Sequence, residues 1–181
     1  MNETTRKLLS EALSRHEICM REVSRAQDPA EVVRRLVEIE RASWSETPVE
    51  AENRPMIYRH LLSLVDDPSL LEQRYGACEH LYLQSIIAQR YWEVLAGVSD
   101  MTKLTELAIQ AHPGLRVFAV LRFQERLPNA LKRVSPTEIP RWFIRLLMQP
   151  SEMANFLSQA ACKAVIDKTR DLLKAEATTT S

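Results

Sequence analysis

Residues 81–95 read Leu81-Tyr82-Leu83-Gln84-Ser85-Ile86-Ile87-Ala88-Gln89-Arg90-Tyr91-Trp92-Glu93-Val94-Leu95, a run with neither glycine nor proline. Leu81, Ser85, Ile86, Gln89, Trp92 and Leu95 recur at helical steps, and Tyr75, Tyr82 and Tyr91 add aromatic bulk. That periodicity predicts a helix, the central and most buried one of the fold. Upstream, Asp67-Pro68-Ser69 supplies its start signal, a capping aspartate followed by proline in the first turn. Helix is therefore expected from this point to Leu95, interrupted near Gly76.

The same punctuation recurs on both sides. Asp28-Pro29-Ala30-Glu31 has the spacing of a capping box and opens a helix to about Ser43, with Val33, Leu36, Val37 and Glu40 on one side. Before it, Leu9, Leu13, His16, Met20 and Val23 make a core stripe on a first helix, from Glu3 to Ala26. Trp44 to Asn53 reads as the longest loop, followed by a helix from Pro55 to Val65. Downstream, Asp100 caps a short helix that stops at His112-Pro113-Gly114. A further helix starts at Leu115 and continues past Pro128. Ser135-Pro136-Thr137-Glu138 gives another start for a helix ending before Pro150, and Ser151-Glu152 opens the last. Ala177 to Ser181 is expected to be a structureless tail.

The fold class is thus all-α: an irregular bundle of seven or eight helices with short connections, residues 1–176 forming a single domain. Composition agrees. Leu, Ala, Arg and Glu dominate, residues that lose little rotamer freedom in a helix, and glycine occurs only at positions 76, 97 and 114. No repeat of fixed period argues for a solenoid.

Charge and cysteine usage narrow the function classes. Formal net charge is zero, so binding of polyanions by bulk electrostatics is not expected. The opening Met1–Thr5 lacks the charged and apolar regions of a secretory leader, and no apolar run approaches the ~20 residues a membrane span needs. Cys19, Cys78 and Cys162 are odd in number and far apart, which suits reduced thiols and a cytoplasmic protein.

Catalytic and metal signatures are missing. None of His16, His60, His80 and His112 has an acid three residues before it, as a carboxylate-bridged di-metal bundle requires. No Cys-x-x-Cys, His-Glu-x-x-His or Gly-x-Ser-x-Gly occurs. Glu79 and His80 are adjacent and diverge by about 100° on a helix, and Cys78 and His80, two apart, do not face each other. His16 and Cys19 share a helix face, but with no third group to orient the imidazole they read as a partly buried histidine beside a small apolar cysteine. No catalytic residue, cofactor or metal is assigned.

One local feature stands out. Between Pro113 and Gln149 there are seven basic residues against Glu125 and Glu138, an excess of five balanced by the rest of the neutral chain. Arg122 and Arg126 share one helix face and Arg141 and Arg145 another, with Trp142 and Phe143 between the latter pair. If those helices pack side by side, four guanidiniums converge. The competing expectation is pairing within the fold, with acids such as Asp66, Asp67 and Glu72. A helix-turn-helix over Leu104–Leu127 fails because Leu115–Phe123 is too apolar to lie in a groove of DNA. In that helix Val117, Val120, Leu121, Phe123 and Leu127 make one broad apolar arc, and Phe118 falls on the polar side.

By elimination, the sequence predicts a non-enzymatic protein–protein interaction module, such as an adaptor, regulator or assembly subunit. Its partner is another protein or a second copy of the chain. Arg122, Arg126, Arg141 and Arg145 form the expected contact surface, with Trp142 as anchor. The alternative sets the same arginines against nucleic-acid phosphates, though lysine is scarce, six against eighteen arginines. A third reading places a small-molecule pocket near Tyr82, Tyr91 and Trp92.

Overall fold

A computed structural model describes residues 1–26, 28–42 and 48–179 of the chain. Among these residues it is all-α. Helices α1 (Glu3–Arg25), α2 (Pro29–Arg41), α3 (Pro48–Ser63), α4 (Pro68–Ala77) and α5 (Leu81–Gly97) come first. They are followed by α6 (Met101–Gln110), α7 (Pro113–Arg133), α8 (Arg141–Met148), α9 (Pro150–Phe156) and α10 (Gln159–Thr179). The one strand-type pairing among the described residues is an isolated bridge between Ser135 and Glu138. None of the described helices is long and apolar enough to cross a membrane.

The helix starts follow local chemistry. Asp28 accepts a hydrogen bond from the Glu31 backbone N–H (2.8 Å), Asp67 from Ser69 (3.0 Å) and Asp100 from Thr102 (2.8 Å). Each bond satisfies one of the N–H groups that a helix start leaves without an internal partner. Two helices beyond the expected eight arise from breaks. The interruption expected near Gly76 falls at Cys78–His80 and divides α4 from α5, the Gln84 amide donating to the carbonyls of Tyr75 (3.3 Å) and Cys78 (2.7 Å). The last helix divides at Leu157–Ser158, where the Ser158 hydroxyl accepts from Ala161 N–H (3.2 Å).

Several boundaries differ from the sequence reading. Helix α3 begins at Pro48 rather than Pro55, so 48–53 is helix and not loop; Trp44 to Thr47 lie outside the described residues. Proline fits a helix's first position, which is where Pro48 stands, and Pro55 is accommodated inside. Pro113 and Gly114 form the first turn of α7 instead of a linker, with His112 Nδ1 accepting from Gly114 N–H (3.2 Å). Ser135–Glu138 is a turn closed by reciprocal backbone bonds (3.3 and 3.1 Å), and the helix waits until Arg141. Ile139 precedes a proline, which drives it out of the helical region. Helix α10 continues to Thr179, through residues 177–179 of the expected tail.

The chain forms two compact units, Met1–Arg90 and Tyr91–Ser181, with α5 running from the first into the second. In the first, α3 packs against both α1 and α2, and Leu36, Tyr58, Leu61, Leu62, Leu71, Leu83 and Ile87 are fully buried. In the second, α6 packs along α7, whose Leu115, Ala119, Phe123, Leu127 and Leu131 form one buried row at four-residue steps.

Three helix faces are turned relative to expectation. On α5 the buried row is Leu83, Ile87, Tyr91 and Leu95 with Ile86, whereas Leu81 (82% exposed), Ser85 and Gln89 face outward. Among the described residues of α1 only Cys19 is buried, together with Ala26 at its C-cap, while Leu9, Leu13, His16 and Met20 are exposed. On α7 Val117 and Leu121 are exposed, and Phe118 is half-buried against the Trp92 ring (6.0 Å between centroids). These helices carry apolar residues on more than one side, and the packing partner selects the side that is covered. Replacing fully buried Leu36 by alanine is expected to cost about 2–5 kcal/mol. Leu13→Ser, at 61% exposure, is expected to stay within about 0.5 kcal/mol of the parent. Urea unfolding followed by circular dichroism checks both.

Candidate functional site

Helix α8 is short and two-sided. Trp142, Phe143 and Leu146 are buried, the Trp142 ring meeting Phe123 edge-on at 6.1 Å and Phe143 at 5.7 Å. Ile144 (48% exposed) and Met148 (77%) face outward. Between α6 and α8 lies a groove of about 330 Å³ lined by Thr102, Thr105, Glu106, Arg141, Trp142, Ile144 and Arg145. Thr105 is buried, and its hydroxyl donates back to the Met101 carbonyl (2.7 Å). Among the described residues neither Arg141 nor Arg145 has an ion pair or hydrogen bond. The lining therefore offers two uncommitted guanidiniums beside an apolar strip, with Glu106 its single carboxylate. Trp142 borders the groove and is otherwise buried.

Arg122 and Arg126 are engaged differently. The Arg122 guanidinium lies over the Trp92 ring, 3.5 Å from its centroid, and pairs with Glu125 (2.8 Å). Its Nη2 also reaches the Trp92 carbonyl at 3.5 Å. Arg126 donates to the Ala96 carbonyl (2.6 Å) in the last turn of α5. A helix C-terminus leaves carbonyls without internal donors and carries partial negative charge, so Arg126 is well placed there, while Arg122 sits about a turn further back on Trp92. The five residues singled out in the sequence thus sort into two groups. Arg141, Trp142 and Arg145 line one groove; Arg122 and Arg126 are engaged along the C-terminal half of α5. Two of the acids expected to pair with them are used elsewhere: Asp66 pairs with Arg90 (2.6 Å) and Asp67 caps α4.

The three aromatic residues of the pocket reading sit in distinct surroundings. Tyr82 is exposed, Tyr91 fully buried, and Trp92 is flanked by Phe118 and Arg122. Of the thiol–imidazole pair, Cys19 is buried, and burial pushes its thiol pKa up, opposite to what a nucleophile needs. His16 is exposed, its ring edge-on to His60 at 6.0 Å.

Sequence reasoning missed a polar cluster in the first unit. The Glu40 side chain on α2 is 5% exposed; it accepts from the Tyr58 hydroxyl on α3 (2.7 Å) and from Arg74 on α4 (3.0 Å). Burial raises the Glu40 pKa, outweighing the Tyr58 hydrogen bond and the Arg74 and Arg41 charges, which lower it. Tyr58 is raised well beyond the usual phenol range, by burial first and then by the Glu40 charge, and burial also raises the Cys78 thiol. One signal was available: a carboxylate on the apolar side of α2 requires a partner. Its partners lie eighteen and thirty-four residues away, beyond any local pattern.

Compared with known proteins, the chain matches no family model, no curated protein and no solved structure.

The Glu40 cluster has a signature in stability. Glu40→Ala leaves the Arg74 charge buried without its counter-ion, and is expected to cost about 3–5 kcal/mol. Glu40→Gln tests the pH response. Because the folded-state pKa of Glu40 lies above its unfolded value, the parent gains stability on the Gln variant as pH falls through that raised value. The gain is complete once pH is below the ordinary carboxylate range. Paired urea titrations from neutral pH downward check the sign.

Proposed function

We propose that this protein is a non-enzymatic helical interaction module. In this reading the groove between α6 and α8 receives an acidic, amphipathic segment of another protein. The observation that carries it is the combination on α8: Arg141 and Arg145 uncommitted among the described residues, beside exposed Ile144 and Met148. Two cations flanking an apolar strip complement a helix that presents carboxylates on either side of a leucine or phenylalanine. A second copy of the chain is the alternative protein partner for the same groove. A cytoplasmic setting belongs to the same reading, supported by free thiols at Cys19, Cys78 and Cys162.

Nucleic acid is the weaker alternative. A phosphate-tracking surface accumulates cations, whereas Arg122 and Arg126 are engaged on α5 and the groove lining includes Glu106 and Ile144.

Fluorescence polarisation separates these readings. The probes are acidic amphipathic peptides of about four helical turns, their lysine-substituted counterparts, and a single-stranded oligonucleotide. The expected result is selective binding of the acidic peptides, reduced at least about tenfold by Arg141→Glu with Arg145→Glu. Equal binding of acidic and basic peptides would overturn the proposal. So would tighter, steeply salt-dependent oligonucleotide binding, and a dimer by light scattering that the double substitution dissolves would transfer the groove to self-association.

A further inference from the structure

The first unit holds a cavity of about 420 Å³ lined by Val37, Glu40, Arg41, Arg74, Ala77 and Glu79. It lies beside the buried Glu40–Tyr58–Arg74 cluster and is independent of the α6–α8 groove. Its size falls near the lower end of the range for small-molecule sites, about 300–1,000 Å³. Two carboxylates and two guanidiniums line it together with two aliphatic side chains.

The state of those charges points to a ligand class. Arg74 gives one N–H to Glu40, and its side chain keeps 11% of its surface exposed while lining the cavity. Arg41 and Glu79, both exposed, have neither an ion pair nor a hydrogen bond among those residues. A buried ion pair is a costly way to hold helices together, since apolar residues of equal volume often do so at less cost. Beside an open cavity, incompletely used donors and acceptors recognise polar groups that enter it. A lone anion here meets Glu40 and Glu79 as like charges, and a lone cation meets Arg41. A molecule carrying both charges matches all four.

We infer that this cavity binds a small zwitterion of the free amino-acid type. Arg41 and Arg74 take its carboxylate, Glu79 and Glu40 take its ammonium, and Val37 and Ala77 lie against an aliphatic side chain. Glu40 on α2 and Arg74 on α4 are tied to each other and to α3 through the Tyr58–Glu40–Arg74 hydrogen bonds, so the inner half of the charged wall is set before a ligand arrives. Arg41 and Glu79 close on it from the rim.

Calorimetric titration of the full chain with valine, leucine and methionine tests the inference. Acetate, ethylamine and inorganic phosphate serve as probes of single charge sign. Saturable binding of at least one amino acid, with none of the single-sign probes, is the expected result. Arg41→Gln and Glu79→Gln should each weaken that binding about tenfold or more. Both positions are exposed, so thermal melts of the unliganded variants should match the parent. Absence of saturable heat for all three amino acids at millimolar concentration overturns the inference. Binding that survives either substitution, or acetate or phosphate binding as tightly as the amino acids, does the same.

Discussion

With ten helical segments among its described residues and three glycines in the whole chain, this protein has many helix C-termini and few residues suited to ending them. The common solution, a glycine in the left-handed region just beyond the last turn, is unused, since no described residue has a positive φ. Yet the last carbonyls of every helix still require donors. Long side chains supply them from other elements. Arg90 donates to the carbonyls of Ser63 and Val65 at the end of α3, Arg116 to Ala111 at the end of α6, and Arg126 to Ala96 at the end of α5. Gln84 does the same for α4. Arginine suits this task because its planar fork carries five donors on a long stem, and it brings positive charge to the negative end of the helix dipole. Much of the arginine content that reads in the sequence as a surface for an external anion is thus structural, and what remains uncommitted on α8 gains significance by contrast.

Glu40 makes a complementary demand within the first unit. A carboxylate taken out of water must be hydrogen-bonded, and its two oxygens draw Tyr58 from α3 and Arg74 from α4 onto α2. The bonds do not fully offset the burial, as the raised Glu40 pKa shows.

The features legible in the sequence were those whose physics is local. Caps at Asp28, Asp67 and Asp100 close bonds two or three residues away, so the pattern and the bond occupy the same short stretch. Faces were less legible. Leu81, Ser85 and Gln89 recur at helical steps as well as Leu83, Ile87 and Tyr91 do, and only the second set is buried. Of the arginine cluster, the shared face of Arg141 and Arg145 follows from their spacing, whereas the capture of Arg126 by a carbonyl thirty residues away does not.

By itself, then, the sequence determined the helical class, the aspartate-capped helix starts, and the absence of local catalytic or metal-ligand spacings. Those properties depend on backbone propensity and on bonds within one turn. Tertiary structure alone decided which side of each helix is covered, which arginines are engaged at helix ends, and that Glu40, Tyr58 and Arg74 share one buried cluster. Burial and long-range pairing depend on residues distant in the chain, and a helix with apolar groups on several sides leaves that choice to the element packed against it.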